Sequence, residues 1–379
     1  MTLLLACATV DPTLSEPLGL DDAWVRTFGG SATDEAWGLA ATDDGVVFGA
    51  HASSPGHFPD TWVMRLDDAG AVWTTQWGGN GTEKTFPITV DADRVYVGGT
   101  RYTTLANETA DGFVLALDAN SGAEAWEWTF DQDGYEEIDD IVPVGDRLYI
   151  DGWSTGDTND ALVGALSTSG ELLWATGWDS GAWDEANGRM YVDPATETSY
   201  VTGLRGGVSY GVGGTGTLAA FDAEGALVWM DDLPGCDGYC DGLGLAGDGE
   251  ALYTVGDALE GVESELDLHA FTLDGDEVWS LRLAGESSAF GRAIAVRDGT
   301  VWVAANFDDD VKVLALDAAT GDLLADATWA GAGTDRAHEI VVTDTAVYVA
   351  GDTDSIGAGG TDGMLLRFPL ELDEVPPAE

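Results

Sequence analysis

A tryptophan returns roughly every fifty residues along this chain, each time just after a short polar or acidic turn that holds glycine. The copies are Asp67-Asp-Ala-Gly-Ala-Val-Trp73, Asp118-Ala-Asn-Ser-Gly-Ala-Glu-Ala-Trp126, Ser167-Thr-Ser-Gly-Glu-Leu-Leu-Trp174, Asp222-Ala-Glu-Gly-Ala-Leu-Val-Trp229 and Leu273-Asp-Gly-Asp-Glu-Val-Trp279. Between them lie short apolar runs rich in Val, Leu and aromatics, bounded by Gly, Asp, Asn or Thr, as strands are. No stretch keeps a helical period. One unit cannot bury both faces of its small sheet, so units of this kind pack against one another, and an all-β ring of repeats is the expected solution.

Each unit holds four strands, A to D. Strand B is the most regular, as in Val95-Tyr-Val-Gly98, Leu148-Tyr-Ile-Asp151 and Val347-Tyr-Val-Ala350, and it occurs seven times. Its aromatic residue reads as a wedge between neighbouring sheets. Strand D also occurs seven times, but one copy is displaced. Ala23-Trp24-Val-Arg-Thr-Phe-Gly-Gly30 matches Val72-Trp73-Thr-Thr-Gln-Trp-Gly-Gly79 and stands before any A, B or C, whereas the last unit stops after C. The prediction is a single seven-bladed β-propeller of four-stranded blades, with strand 23–28 pairing antiparallel with residues 363–368 to complete the last blade and remove two open edges. Trp24, Trp73, Trp126, Trp174, Trp229 and Trp279 are its structural repeat aromatics. The sixth D strand carries Ala325 where the others carry Trp, so looser packing of that outer strand is expected. The domains read as a signal remnant and tether over 1–22, the propeller over 23–370, and an acidic tail over 371–379.

Asp60-Thr-Trp-Val-Met-Arg-Leu-Asp-Asp-Ala-Gly70, running into Trp73-Thr-Thr-Gln-Trp-Gly-Gly79, resembles the bacterial SBBP propeller repeats. So does the end of the chain, from Gly331 through Asp354 to Leu366. The turn-then-Trp element is similar, more loosely, to the pyrroloquinoline-quinone (PQQ) propeller repeats. The resemblance covers residues 23–370 and implies a fold that hosts many unrelated activities. The PQQ enzymes' adjacent cysteine pair and cofactor-stacking residues have no counterpart here. The lipid-anchored propellers of outer-membrane assembly share the plan, with eight blades against the seven expected here.

Leu4-Leu-Ala-Cys7 resembles a bacterial lipobox, which implies lipidation of Cys7. The stretch before it lacks the basic region and the roughly 7–15 apolar residues of a whole signal peptide. Two readings stand, a truncated lipoprotein signal, which is preferred, and a chance match. Cys236 and Cys240 read as a small-loop disulfide of an oxidising compartment. The alternative, half a zinc site, lacks further ligands at suitable spacing. Both cysteine readings agree with export to the outer membrane or cell surface, or with secretion.

The formal net charge is −55, and there are only two lysines, Lys84 and Lys312. That argues against nucleic acid and against direct docking on anionic lipid, leaving a lipid anchor as the membrane contact. The D-to-A loops bring a carboxylate to one level in six of the seven units, as Asp34, Glu83, Glu136, Asp184, Asp241 and Asp335, with the seventh near Arg292. One reading is structural, a carboxylate that accepts backbone N–H groups at a turn. The other is a cation ring at the channel mouth, for which Ca²⁺ is the candidate ion. No other cofactor, no firm metal site and no catalytic residue is assigned. The functional expectation is a monomeric, exported, non-enzymatic binding scaffold of the bacterial cell envelope, with a protein or glycan partner. The alternatives are an exported enzyme acting on a polysaccharide or other polymer at the channel mouth, or a calcium-dependent adhesion module.

Overall fold

Seven antiparallel sheets follow one another around an axis. The computed structural model describes residues 23–372, apart from 53–58, 68–69, 80, 103–108, 133, 156–158, 187, 209–212, 236–239 and 261–262. The tether, Cys7, Cys236 and most of the acidic tail lie outside these residues. Blades I to VI begin with the inner strands Asp34–Thr42, Glu83–Asp91, Glu136–Val144, Trp183–Glu185, Cys240–Gly247 and Ala289–Arg297, and blade VII begins with Asp335–Val342. In blades I to VI strands A to D pair in chain order, and the inner strands of neighbouring blades touch around the ring. Blade IV alone has a fifth strand, because its inner edge is broken into Trp183–Glu185 and Met190–Val192.

The ring closes as the sequence predicts. Trp24–Phe28 pairs antiparallel with Asp362–Pro369, in a register running from Trp24 opposite Arg367 to Phe28 opposite Gly363. The N-terminal strand thus shields the edge of the strand that ends the propeller.

The core is a set of slabs between blades. Tyr96, Ile141, Leu148 and Leu166 fill the space between blades II and III, and Phe28, Phe48, Tyr348 and Leu365 that between VII and I. The strand B aromatics Phe48, Tyr96, Tyr149, Tyr200, Tyr253, Trp302 and Tyr348 are all buried. In five blades this ring lies on the same sheet face as the strand D tryptophan, with Tyr149 and Trp174 centred 6.1 Å apart and Tyr253 and Trp279 6.2 Å apart.

Four of the strand D tryptophans then reach into the next blade with a hydrogen bond. Trp73 Nε1–H donates to the Ala119 carbonyl at 2.9 Å, Trp126 to Thr168 at 3.1 Å, Trp174 to Ala223 at 3.1 Å and Trp279 to Ala318 at 2.9 Å. All four acceptors lie in the C-to-D turn of the following blade. The glycine of that turn lies against the indole: a Cβ on Gly225, whose φ is +83°, would come within 2.5 Å of Trp174. Only glycine combines that backbone with that approach.

This bolt explains Ala325. Ala325 pairs with Ala315 as Trp174 pairs with Ala165, so it holds the bolt position of blade VI. Its target would be the C-to-D turn of blade VII, and blade VII has no such turn because its D strand comes from the N-terminus. The expected loosening is not seen. Leu323–Trp329 pairs along its length with blade VI, and Trp329 is fully buried between blades VI and VII.

Candidate functional site

The six carboxylates predicted to ring the channel mouth are turned into the fold. Asp34, Glu83, Glu136, Asp184, Asp241 and Asp335 are each at most 6 % exposed. Where their partners are seen, they cap the loop that precedes strand A. Asp34 accepts the Gly30 N–H at 2.6 Å, Glu136 the Gly134 N–H at 3.1 Å and Asp335 the Gly331 N–H at 2.9 Å. Asp184 takes the Ser180 hydroxyl at 2.8 Å and the Gly206 N–H at 2.8 Å. Asp34, Glu136, Asp184 and Asp335 thus act as the structural alternative has it, and the six predicted carboxylates are buried in place of standing open at the axis. Cys240 is buried and disulfide-bonded, and its expected partner Cys236 lies outside the described residues.

Successive side chains on a strand point to opposite sides. One residue beyond each cap, the inner strands present Glu35, Lys84, Glu137, Glu185, Phe290 and Arg336. A β-bulge then follows and turns out another set: Trp37, Phe86, Asp139, Arg292 and His338. These two levels form a mouth lined by aromatic rings and carboxylates.

On one side, Trp37 stacks on His338 with ring centroids 3.7 Å apart and meets Phe86 edge-on. Glu35 accepts Trp37 Nε1–H at 3.1 Å and lies 3.1 Å from His51 Nε2. The His51 hydrogen bond, ahead of the burial that opposes it, holds the Glu35 carboxyl down at about 2. His338 is buried against Asp352, and burial lowers its pKa.

On the other side, Tyr135 stacks on Trp153 at 4.7 Å, and Tyr102 meets Tyr135 at 5.7 Å. The Tyr135 hydroxyl donates to Glu137 at 2.7 Å. Trp183 Nε1–H and Asn159 Nδ2–H both donate to Glu185, the latter at 3.1 Å. These rings are half-buried, so their faces are supported on one side and wet on the other.

Below them lies a group of acids on one guanidinium. Glu137 hydrogen-bonds Asp139, and burial pushes the Glu137 pKa up. Burial, then the charges of Glu137 and Asp151, push Asp139 well above the carboxylate range, and burial followed by Asp140 does the same to Asp151. Burial raises Glu185 to about 7. Arg189 sits among them. Its Nη1 donates to the Asp139 carbonyl at 2.6 Å, and its Nη2 lies 2.7 Å from Glu339 of blade VII, three blades further round the ring. Burial opposes the charge on Arg189, but Glu339, Asp140 and Asp151 outweigh it and raise its pKa. Arg189 comes from the break in the inner strand of blade IV, and it ties opposite sides of the ring together.

Sequence reasoning placed Arg292 near the mouth but missed Arg189, Glu137 and Asp139 as its floor. One signal was present: the stretch from Asp184 to Tyr200 is longer than its counterparts Glu136 to Tyr149 and Asp335 to Tyr348, which marks an irregular inner strand.

Blades bolted by a tryptophan on the next blade's glycine turn define a propeller of the PQQ-like repeat class. The PQQ_2 family model, described as "Outer membrane protein assembly factor BamB", matches residues 159–371. That is more than half of the chain, which therefore belongs to this family, in line with the looser of the two resemblances. Comparison with curated proteins gave no sequence match. Among solved structures, quinohemoprotein alcohol dehydrogenase from Comamonas testosteroni superposes with a TM-score of 0.55 at 13% identity, covering 94% of this chain and 77% of that one. A europium-containing methanol dehydrogenase gives 0.49 at 13%, covering 92% of each chain, and the Dos1 propeller 0.49 at 11%, covering 94% and 97%. At such identities the first of these speaks for the fold alone.

Proposed function

We propose that the protein is a non-enzymatic binding scaffold of the bacterial cell envelope that grips a basic segment of a partner protein at its axial mouth. The observation that carries this reading is the lining: half-buried Trp37, Tyr102, Tyr135, Trp153 and Trp183 stand beside Glu35, Glu137 and Glu185. Aromatic faces suit a Lys or Arg side chain through cation–π attraction; Glu35, held ionised, adds charge, whereas burial favours the neutral form of Glu137 and Glu185. The net charge of −55 would steer a basic partner from a distance. Membership of a family described by an outer-membrane protein assembly factor supports a protein partner and an envelope location. The lipobox-like Leu4–Cys7 supports tethering to the membrane through lipid.

A second reading, an exported enzyme acting on a polysaccharide, draws on one feature. The Glu137–Asp139 carboxyl pair lies beneath the aromatic rings, but it is hydrogen-bonded, closer than the about 5–9.5 Å that a glycosidase keeps between its two carboxyls, so this reading ranks second.

One experiment separates the two. Lys- and Arg-rich peptides are titrated against the full chain and against Trp153→Ala and Glu137→Gln at about 0.15 M salt, where the Debye length is about 8 Å. The scaffold reading expects selected peptides to bind, with affinity falling at least about tenfold in Trp153→Ala, the scale of one cation–π or stacking contact. Equal binding by both variants would reduce the effect to diffuse charge and overturn the reading. Release of reducing sugar from a glycan panel, abolished by Glu137→Gln, would establish the enzyme instead.

A further inference from the structure

Blades II and III meet at a group of three carboxylates that the mouth does not use. Asp111 stands near the start of strand Ala110–Asp118 of blade II. Asp131 lies in the loop leaving that blade, and Glu136 opens the inner strand of blade III. One oxygen from each lies within 4.8 Å of the others. Glu136 is fully buried, yet its Oε2 has no hydrogen-bond partner. A buried carboxylate oxygen without a partner is costly and calls for a proton or a cation.

The other blades supply an internal control. At the same cap position, Glu83 also keeps an Oε2 without a hydrogen-bond partner, but it lies opposite Arg101, whose Nε comes within 3.6 Å of its Oε1. Asp335 lies opposite Thr353 and takes the hydroxyls of Thr353 and Ser355. Glu136 lies opposite Ser154, so no cation stands across from it in the sheet. The nearest guanidinium, Arg101, is opposite Asp111 but is engaged by Glu127 at 2.6 Å and rests on the Trp77 ring. The backbone around the group is held in place. Ala110 N–H donates to the Gly134 carbonyl at 3.1 Å, and a Cβ on Gly134 would come within 2.2 Å of the Thr155 carbonyl oxygen.

We infer that Asp111, Asp131 and Glu136 form a binding site for a calcium-class divalent cation that joins blades II and III. The donors are all oxygen, as a hard cation requires, and backbone carbonyls or water would complete the shell. The site is independent of what the mouth binds. It narrows the sequence expectation of a carboxylate ring to the one position where, among the described residues, three carboxylates converge within reach of a single ion.

The test is calorimetric titration of CaCl₂ into the full chain at about 0.15 M NaCl, which screens the diffuse counter-ion atmosphere. Asp131→Asn and Glu136→Gln are titrated in parallel. The control is Asp60→Asn, which removes the carboxylate of blade I that corresponds to Asp111. The expected result is one saturable equivalent per chain, weakened more than about tenfold in Asp131→Asn and Glu136→Gln and kept in Asp60→Asn. Asp131 is exposed, so its variant keeps the test alive if Glu136→Gln fails to fold. Uptake that never saturates, that is equal in Asp131→Asn, or that vanishes at this salt concentration would overturn the site.

Discussion

Glu185 shows how a single residue at the mouth trades stability for a poised charge. Burial raises its pKa to about 7 from an ordinary value of 4.5, although Trp183 and Asn159 both donate to it. The unfolded chain therefore ionises Glu185 at lower pH than the folded chain does. Below the unfolded pKa both states are neutral and the residue costs nothing. As pH rises from about 4.5 to about 7 the unfolded state gains charge first, and stability is lost across that window. Glu185→Gln keeps an acceptor for both donors and removes the titration. Its stability in urea unfolding should match the parent near pH 4 and exceed it above pH 8, by about 3–4 kcal/mol at one pKa unit per 1.4 kcal/mol. An advantage that did not change with pH would show that Glu185 is not the group that burial holds neutral.

At the scale of the element, the tryptophan bolt links what was legible in the sequence to what was not. Replacing Trp174 by Ala should cost up to about 3 kcal/mol in a denaturation experiment, the lower end of the loss for a large ring, because the indole is only partly buried. The reverse change, Ala325→Trp, should bring no gain, because blade VII offers no glycine turn to receive the indole. A gain as large as the Trp174→Ala loss would mean that the ring works through its own blade's aromatic partner and that the turn matters little. The tryptophans, the strand B aromatics and the closing strand could be read beforehand because packing between blades repeats, and a repeated demand leaves a repeated residue. The mouth could not be read in the same way. Asp34 and Glu35 are neighbours, and only the side of the strand that meets the axis decides that the first caps a loop and the second faces the opening. The bulge between Ala36 and Gly38 then shifts that alternation and exposes Trp37. Arg189 and Glu339 meet across the ring once, without a repeat, so no period announces them.

For the molecule as a whole, charge is the largest departure from an ordinary domain. Asp and Glu number 69 against 14 Lys and Arg, so even complete pairing would leave most carboxylates facing others of the same sign. Several of the cations are committed to ion pairs: Arg101 to Glu127, Arg205 to Asp232 and Lys312 to Asp326. A compact state with this balance repels itself more than the unfolded chain does. Added salt should relieve that repulsion, since the Debye length falls from about 30 Å at 0.01 M to about 3 Å at 1 M. The melting temperature should therefore rise over that range, equally for NaCl and KCl, because screening depends on ionic strength and not on the identity of the ion. Calcium at the junction of blades II and III should behave differently, adding a rise that saturates at a concentration far too low to change the ionic strength. Asp131→Asn should abolish the saturating rise and leave the salt dependence as it is. A melting temperature indifferent to NaCl would mean that local compensation, such as the neutral state of buried acids like Asp139 and Asp151, already relieves the folded state of its charge.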